Sequence, residues 1–129
     1  MKNLILDWPD KAIARLTLSQ PARRNALNAA MWAALPGLLK DLEGQPNLRV
    51  LIVTGDGAHF AAGADISEFE TLYATSESAA KISADIQQAC DALAAVPVPT
   101  LAMIRGACVG GGCGLSPVSY THLTLPTKA

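Results

Sequence analysis

The sequence is short of the residues that build metal centres. It has two histidines and three cysteines. His59 and His122 stand far apart, and Cys108 and Cys113 have no second pair beside them, so no ligand set of the usual kind is spelled out. Cysteines that are few, odd in number and scattered argue against a disulfide scaffold and for a reducing compartment. The cytoplasm is the expected location, and Cys108 and Cys113 are expected to be small apolar side chains. Charge of one sign is also missing. Ten basic residues face eleven acidic ones for a net charge of −1. The basic stripe that marks nucleic-acid binding is absent, and so are the like-charge runs of a membrane-surface or partner-binding tail. No apolar run reaches the ~18 residues of a membrane span. Met1 to Asp10 is interrupted by Asp7, Pro9 and Asp10, which is not the pattern of a signal peptide.

Apolar residues are plentiful, at 50% of the chain. That is enough for the core of one domain and too much for a disordered chain. Leu4 to Trp8 is an apolar run closed by Pro9-Asp10, a turn signal. Ala12 to Leu18 alternates apolar and polar, so two antiparallel strands are expected. Gln20 to Asn28 is a polar loop that ends in Asn28, a good helix N-cap. Met31, Leu35, Leu38 and Leu42 follow at helical spacing. Pro36-Gly37 falls inside that helix and predicts a kink or break near Leu35. Arg49 to Thr54 (RVLIVT) reads as a buried strand. A second helix is expected from about Glu77 to Val96, with Ile82, Ile86, Ala89 and Leu93 on one face. Pro97 and Pro99 stop it, and Thr100 to Ile104 is a further strand. This alternation of strands and helices implies an α/β fold.

Ser116 to Ala129 (SPVSYTHLTLPTKA) departs from the Ala/Gly-rich chain before it. It shows no helical period, and the pattern supplies no partner strand. We therefore divide the chain into a structured part, residues 1–115, and a tail, residues 116–129, expected to be foreign, frameshifted or disordered.

Two small-residue turns each follow a strand. The first is Phe60-Ala61-Ala62-Gly63-Ala64-Asp65-Ile66, and the second runs from Gly106 to Gly114 and contains Gly110-Gly111-Gly112. Small side chains let a ligand approach the backbone. Two such turns brought together can aim two N–H groups at one oxygen, as an oxyanion hole does. Plain tight turns would also use these glycines. The second turn is neither a P-loop nor a dinucleotide fingerprint, because the required Lys-Ser/Thr and Gly spacing are absent.

Three segments in order resemble the signatures of the crotonase (enoyl-CoA hydratase/isomerase) superfamily. They are Gln20 to Asn28 (QPARRNALN), Val53-Thr54-Gly55-Asp56-Gly57 with Phe60 to Ile66, and Pro97-Val98-Pro99-Thr100 to Gly106 followed by Gly110-Gly111-Gly112. The resemblance covers residues 1 to about 115. It implies a spiral of stacked β-β-α units, incomplete in this chain, in a protein that assembles as a homotrimer or a dimer of trimers. It implies an acyl-CoA thioester substrate and a lyase or isomerase reaction through an enolate. No separate cofactor is implied, since coenzyme A is part of the substrate. The backbone N–H groups of Ala64 and Gly111 match the two oxyanion-hole donors. The backbone around Ala62, Ala64, Asp65 and Ile66 matches the stretch that contacts the CoA adenine and pantetheine, Gly111 matches a position that holds the thioester, and Arg24 (or Arg23) would lie near the CoA phosphates. A solvated surface charge is the plain alternative for either arginine.

The departures from the family pattern bear on activity. Hydratases of the family carry a catalytic glutamate two residues after the triple glycine, and Gly114 stands there. The second family glutamate would fall beyond Leu115. Asp65 is expected to cap the turn that follows it, and Glu68 and Glu70 to lie on a solvated face. The chain thus reads as an inactive, truncated member whose helix faces Met31–Leu42 and Ile82–Leu93 lack part of their cover. The alternatives are a non-catalytic CoA-binding or assembly module and, more distantly, a nucleotide-binding α/β domain.

Overall fold

In the computed structural model, residues 3–63 and 65–106 are described, together with the backbone of 122–124. Among the described residues five strands form one sheet in the order β1-β2-β3-β4-β5. They are β1 Leu4–Asp10, β2 Ile13–Leu18, β3 Val50–Gly55, β4 Thr100–Met103 and β5 His122–Thr124. β1 and β2 pair antiparallel, with Leu4 opposite Leu18. β2 with β3, β3 with β4 and β4 with β5 all pair parallel.

Pro9-Asp10 is not the turn. β1 runs through to Asp10, and the register shifts between Asp7 and Asp10. The chain reverses instead at Lys11-Ala12. Proline has no N–H to give to a ladder, so an irregular stretch of an edge strand accepts it. β5 is a second departure from expectation. His122–Thr124 lies inside the segment expected to have no partner, and it pairs with Leu101 to Met103 of β4.

The helices are α1 Ala29–Lys40, the single turn α2 Phe69–Leu72, and α3 Ser76–Ala94. Asn28 caps α1 as expected, its side chain accepting from the Met31 N–H. Of the kink or break expected near Leu35, no break occurs, and α1 runs unbroken through Pro36 to Lys40. Burial of Met31, Trp32, Leu35 and Leu39 gives that helix a continuous packed face on both sides of the proline. Tertiary packing of this kind outweighs one missing backbone bond. α3 starts at Ser76, where Thr75 and Ser78 form a reciprocal capping box.

The alternation along the strands decides which face is covered. Ala14, Leu16, Leu18, Leu51, Val53 and Ala102 are buried and form one cluster with the apolar stripes of α1 and α3. Leu38 and Ile86, on the two helix faces expected to lack part of their cover, are only partly buried. The large apolar side chains left exposed are elsewhere: Ile5, Trp8 and Met103 on the strands, and Ile66, Phe69 and Tyr73 around α2.

β2 and β3 end together, with Leu18 opposite Gly55, and the chain turns sharply there. A Cβ on Gly55 would lie 2.0 Å from the His59 carbonyl oxygen and 2.4 Å from that of Phe60. Both obstacles are backbone and cannot rotate away. Gly55→Ala is therefore expected to destabilise the chain by about 3 kcal/mol, at the upper end for overpacking. Urea unfolding of the two chains measures it; a loss under about 1 kcal/mol would show that the turn relaxes freely.

Candidate functional site

The site is assembled from the loop 20–28 and the turn 60–68. Asn25 organises the loop. It is fully buried and left-handed, with φ 59°, a conformation that asparagine tolerates better than most residues. Its amide donates to the carbonyl oxygens of Asp56 at 2.9 Å and His59 at 2.8 Å. Its Oδ1 accepts from the Gln20 N–H at 2.8 Å. The loop is thus stitched closed and fastened to the turn that follows β3. Phe60 N–H donates to the Arg105 carbonyl oxygen at 2.7 Å, and the Arg105 guanidinium donates to that of Gly55 at 2.8 Å. The residues after β4 therefore hold the same turn from the other side.

Leu27 carries the order one step further. Its N–H donates to the Gly63 carbonyl oxygen at 2.7 Å, and its own carbonyl oxygen accepts from the Asp65 N–H at 2.9 Å. Asp65 is 6% exposed. Its carboxylate accepts from the Ser67 N–H at 3.0 Å and the Ser67 hydroxyl at 2.7 Å, which is the capping role expected of it. A longer 3.4 Å pair reaches the Arg23 guanidinium.

Of the residues singled out in the sequence, Arg24, Ala62, Asp65 and Ile66 line one cavity of about 320 Å³, completed by Ala22, Arg23 and Ala26. Ala64 and Gly111 lie outside the described residues, as do Cys108 and Cys113. Arg23 and Arg24 are exposed while Ala26 and Asp65 are buried. Small apolar walls with guanidinium groups at the mouth suit a ligand with an apolar body and anionic groups. Among the described residues no group of three His, Cys, Asp or Glu side chains is placed to hold a metal. No helix there is long and apolar enough to cross a membrane.

One placement differs from expectation. Glu68 is not on a solvated face; its carboxylate accepts from the Ala29 N–H, the first of α1, at 2.7 Å. No local pattern joins residues 39 apart, so the sequence carries no signal for this bond. Nor does it single out Gln20, whose amide donates to the Ala26 carbonyl oxygen.

Comparison with known proteins gives a consistent result. A family model described as enoyl-CoA hydratase/isomerase matches residues 9–119. "Probable enoyl-CoA hydratase echA8" of Mycobacterium tuberculosis is 36% identical over 112 residues, covering 87% of this chain and 42% of that protein. The crystal structure of an enoyl-CoA hydratase/carnithine racemase from Magnetospirillum magneticum superimposes with a TM-score of 0.86 at 39% identity, covering 92% of this chain and 44% of that one. An enoyl-CoA hydratase from Bacillus anthracis gives 0.83 at 28% identity, with 90% and 45% covered. The chain spans less than half the length of these relatives.

Burial pushes the Asp65 carboxyl up, but the bonds from Ser67, the Arg23 guanidinium and the Gln20 amide outweigh it and hold the group below the ordinary 3.8. A carboxyl depressed in the folded state adds stability above its unfolded value, and that stability is lost as the pH falls through the folded value. The stability gap between the chain and Asp65→Asn is therefore expected to be constant above about pH 5 and to close below about pH 4. Denaturant melts across that range check it; a gap independent of pH would show that ionised Asp65 is not what anchors the turn.

Proposed function

The chain belongs to the enoyl-CoA hydratase/isomerase family, and on that premise we propose that it forms the thioester-holding half of an acyl-CoA enzyme. The single observation that carries the reading is the convergence of Arg24, Ala62, Asp65 and Ile66 on one cavity. Arg24 comes from a segment about forty positions before the other three, and the family resemblance implies CoA contact for all four.

In this reading the thioester oxygen sits between the N–H groups of Ala64 and Gly111. Negative charge grows on that oxygen as the enolate forms. Fixed donors aimed at it stabilise the enolate more than the neutral thioester, by about 3 kcal/mol per donor in comparable sites. Leu27 supports the first donor by fastening Gly63 and Asp65, the residues on either side of Ala64. Arg24 meets the CoA phosphates, while Ala62 and Ile66 supply apolar surface for the adenine or pantetheine. Coenzyme A is part of the substrate, and no separate cofactor enters.

Proton movement needs a titratable group within hydrogen-bond reach of the reacting carbon or water. Gly114 stands where hydratases of the family carry a glutamate, so the 129 residues supply half a site. In the proposed assembly the whole protein is a cytoplasmic homotrimer or dimer of trimers.

Isothermal titration with acetyl-CoA is expected to show saturable binding that NAD and ATP do not match, weakened several-fold by Arg24→Ala and by added salt. Equal affinity for NAD or ATP would point to a nucleotide-binding domain. The 129-residue chain is expected not to hydrate crotonyl-CoA above the uncatalysed rate. Turnover in a clean preparation would require an acid–base pair within these residues and sink the half-site reading.

A further inference from the structure

The turn that carries the proposed thioester site is fastened by a side chain with no part in the chemistry described so far. Glu68 follows Asp65 on the 3₁₀ turn Ile66–Glu68. Its Oε1 accepts the Ala29 N–H at 2.7 Å. The first N–H groups of any helix have no partner within the helix. Asn28 satisfies the Met31 N–H of α1, and Glu68 takes a donor that this local cap does not. The positive end of the helix dipole favours a carboxylate there.

The bond extends a row. Leu27 holds Gly63 and Asp65 through backbone bonds of 2.7 and 2.9 Å, and Ala29 holds Glu68. Backbone bonds can form with almost any side chain at these positions. The third bond needs an acceptor of the right length at position 68, so it is the part of the row that the sequence specifies.

We propose that Glu68 is a positioning residue of the thioester site. Its carboxylate, seated on the N-terminus of α1, fixes the turn 61–66 against the loop 20–28 and thereby the cavity between Arg24, Ala62, Asp65 and Ile66. Its importance for substrate rests on the reading of that cavity as a CoA site; its geometry does not. Glu68 moves no proton and touches no substrate. Glutamine keeps a carbonyl acceptor at the same reach, alanine removes it, and aspartate is one methylene short.

The test compares the 129-residue chain with Glu68→Gln and Glu68→Ala. Amide hydrogen exchange is read by NMR at Leu27, Ala29 and Asp65, and acetyl-CoA affinity by titration where circular dichroism shows each variant folded. Glu68→Ala is expected to speed exchange about tenfold at all three amides and to weaken acetyl-CoA about five- to tenfold. Glu68→Gln should stay within about threefold of the parent on both readouts. Faster exchange confined to Ala29, with unchanged affinity, would reduce Glu68 to a helix cap and overturn the proposal. Equal loss of affinity in both variants with unchanged exchange would show the charge acting on the ligand directly, and would overturn it too. If the parent chain binds no acetyl-CoA, the thioester reading falls, and the exchange rates still decide whether Glu68 positions the turn. Should Glu68→Ala fail to fold, Glu68→Asp takes its place in the same comparison.

Discussion

The buried amide of Asn25 is the constraint on which the site depends. Two carbonyl oxygens of the turn after β3 and one N–H of the loop after β2 would be left without these partners if it were removed. Each such bond contributes about 0.5–1.5 kcal/mol. A water cannot easily replace the amide, because the site is fully enclosed. Gly55 is the complement of this arrangement. Its missing side chain leaves the space into which the His59 and Phe60 carbonyl oxygens and the Asn25 amide fit. The parallel pairing of β2 and β3 brings the two loops side by side, and Asn25 turns that proximity into a fixed geometry.

From that point the order is transmitted outward in steps. The closed loop presents Leu27, Leu27 takes up Gly63 and Asp65, and Ala29 takes up Glu68. The carboxylate of Asp65 is used up by Ser67, Arg23 and Gln20. The polar groups nearest the sheet are thus committed to one another. Arg24 and the exposed Ile66 remain at the cavity mouth. Such a division suits binding, because the groups that set the shape are not the ones that must meet the ligand.

The sequence made the periodic features legible. Alternation in Ile13–Leu18 and the four-three spacing of α1 follow directly from the geometry of strand and helix, as does the Ile82, Ala89, Leu93 face of α3. Features that depend on balance between competing terms were not legible. Pro36 weakens a helix locally, yet the packing of Trp32, Leu35 and Leu39 holds it together. Pro9 signals a turn, yet an edge strand with an irregular register absorbs it. Pairing of His122–Thr124 with β4 depends on an edge left open elsewhere, which three residues do not announce. At the cavity, Ala62, Asp65 and Ile66 belong to a legible motif, and Arg24 lies beside another. Glu68 was assigned to solvent because its partner lies on another element.

The backbone character of the proposed oxyanion hole explains which half of the mechanism a sequence of this kind reveals. N–H donors require small residues and a fixed turn, and those leave a pattern: Gly63-Ala64 in one segment and Gly110-Gly111-Gly112 in another. In the proposed reading the Ala64 side chain need only be small enough to let the thioester approach. Proton transfer is different. It depends on a single carboxylate or imidazole placed within about 3 Å of one substrate atom, and such a residue can sit on any element that reaches the cavity. A scaffold that stabilises an enolate is therefore compatible with hydration, double-bond isomerisation or decarboxylation, since all three pass through the same charged oxygen. The reaction is selected by groups the scaffold does not dictate. With glycine at position 114, the proposed reading leaves the choice of reaction to residues other than these two donors.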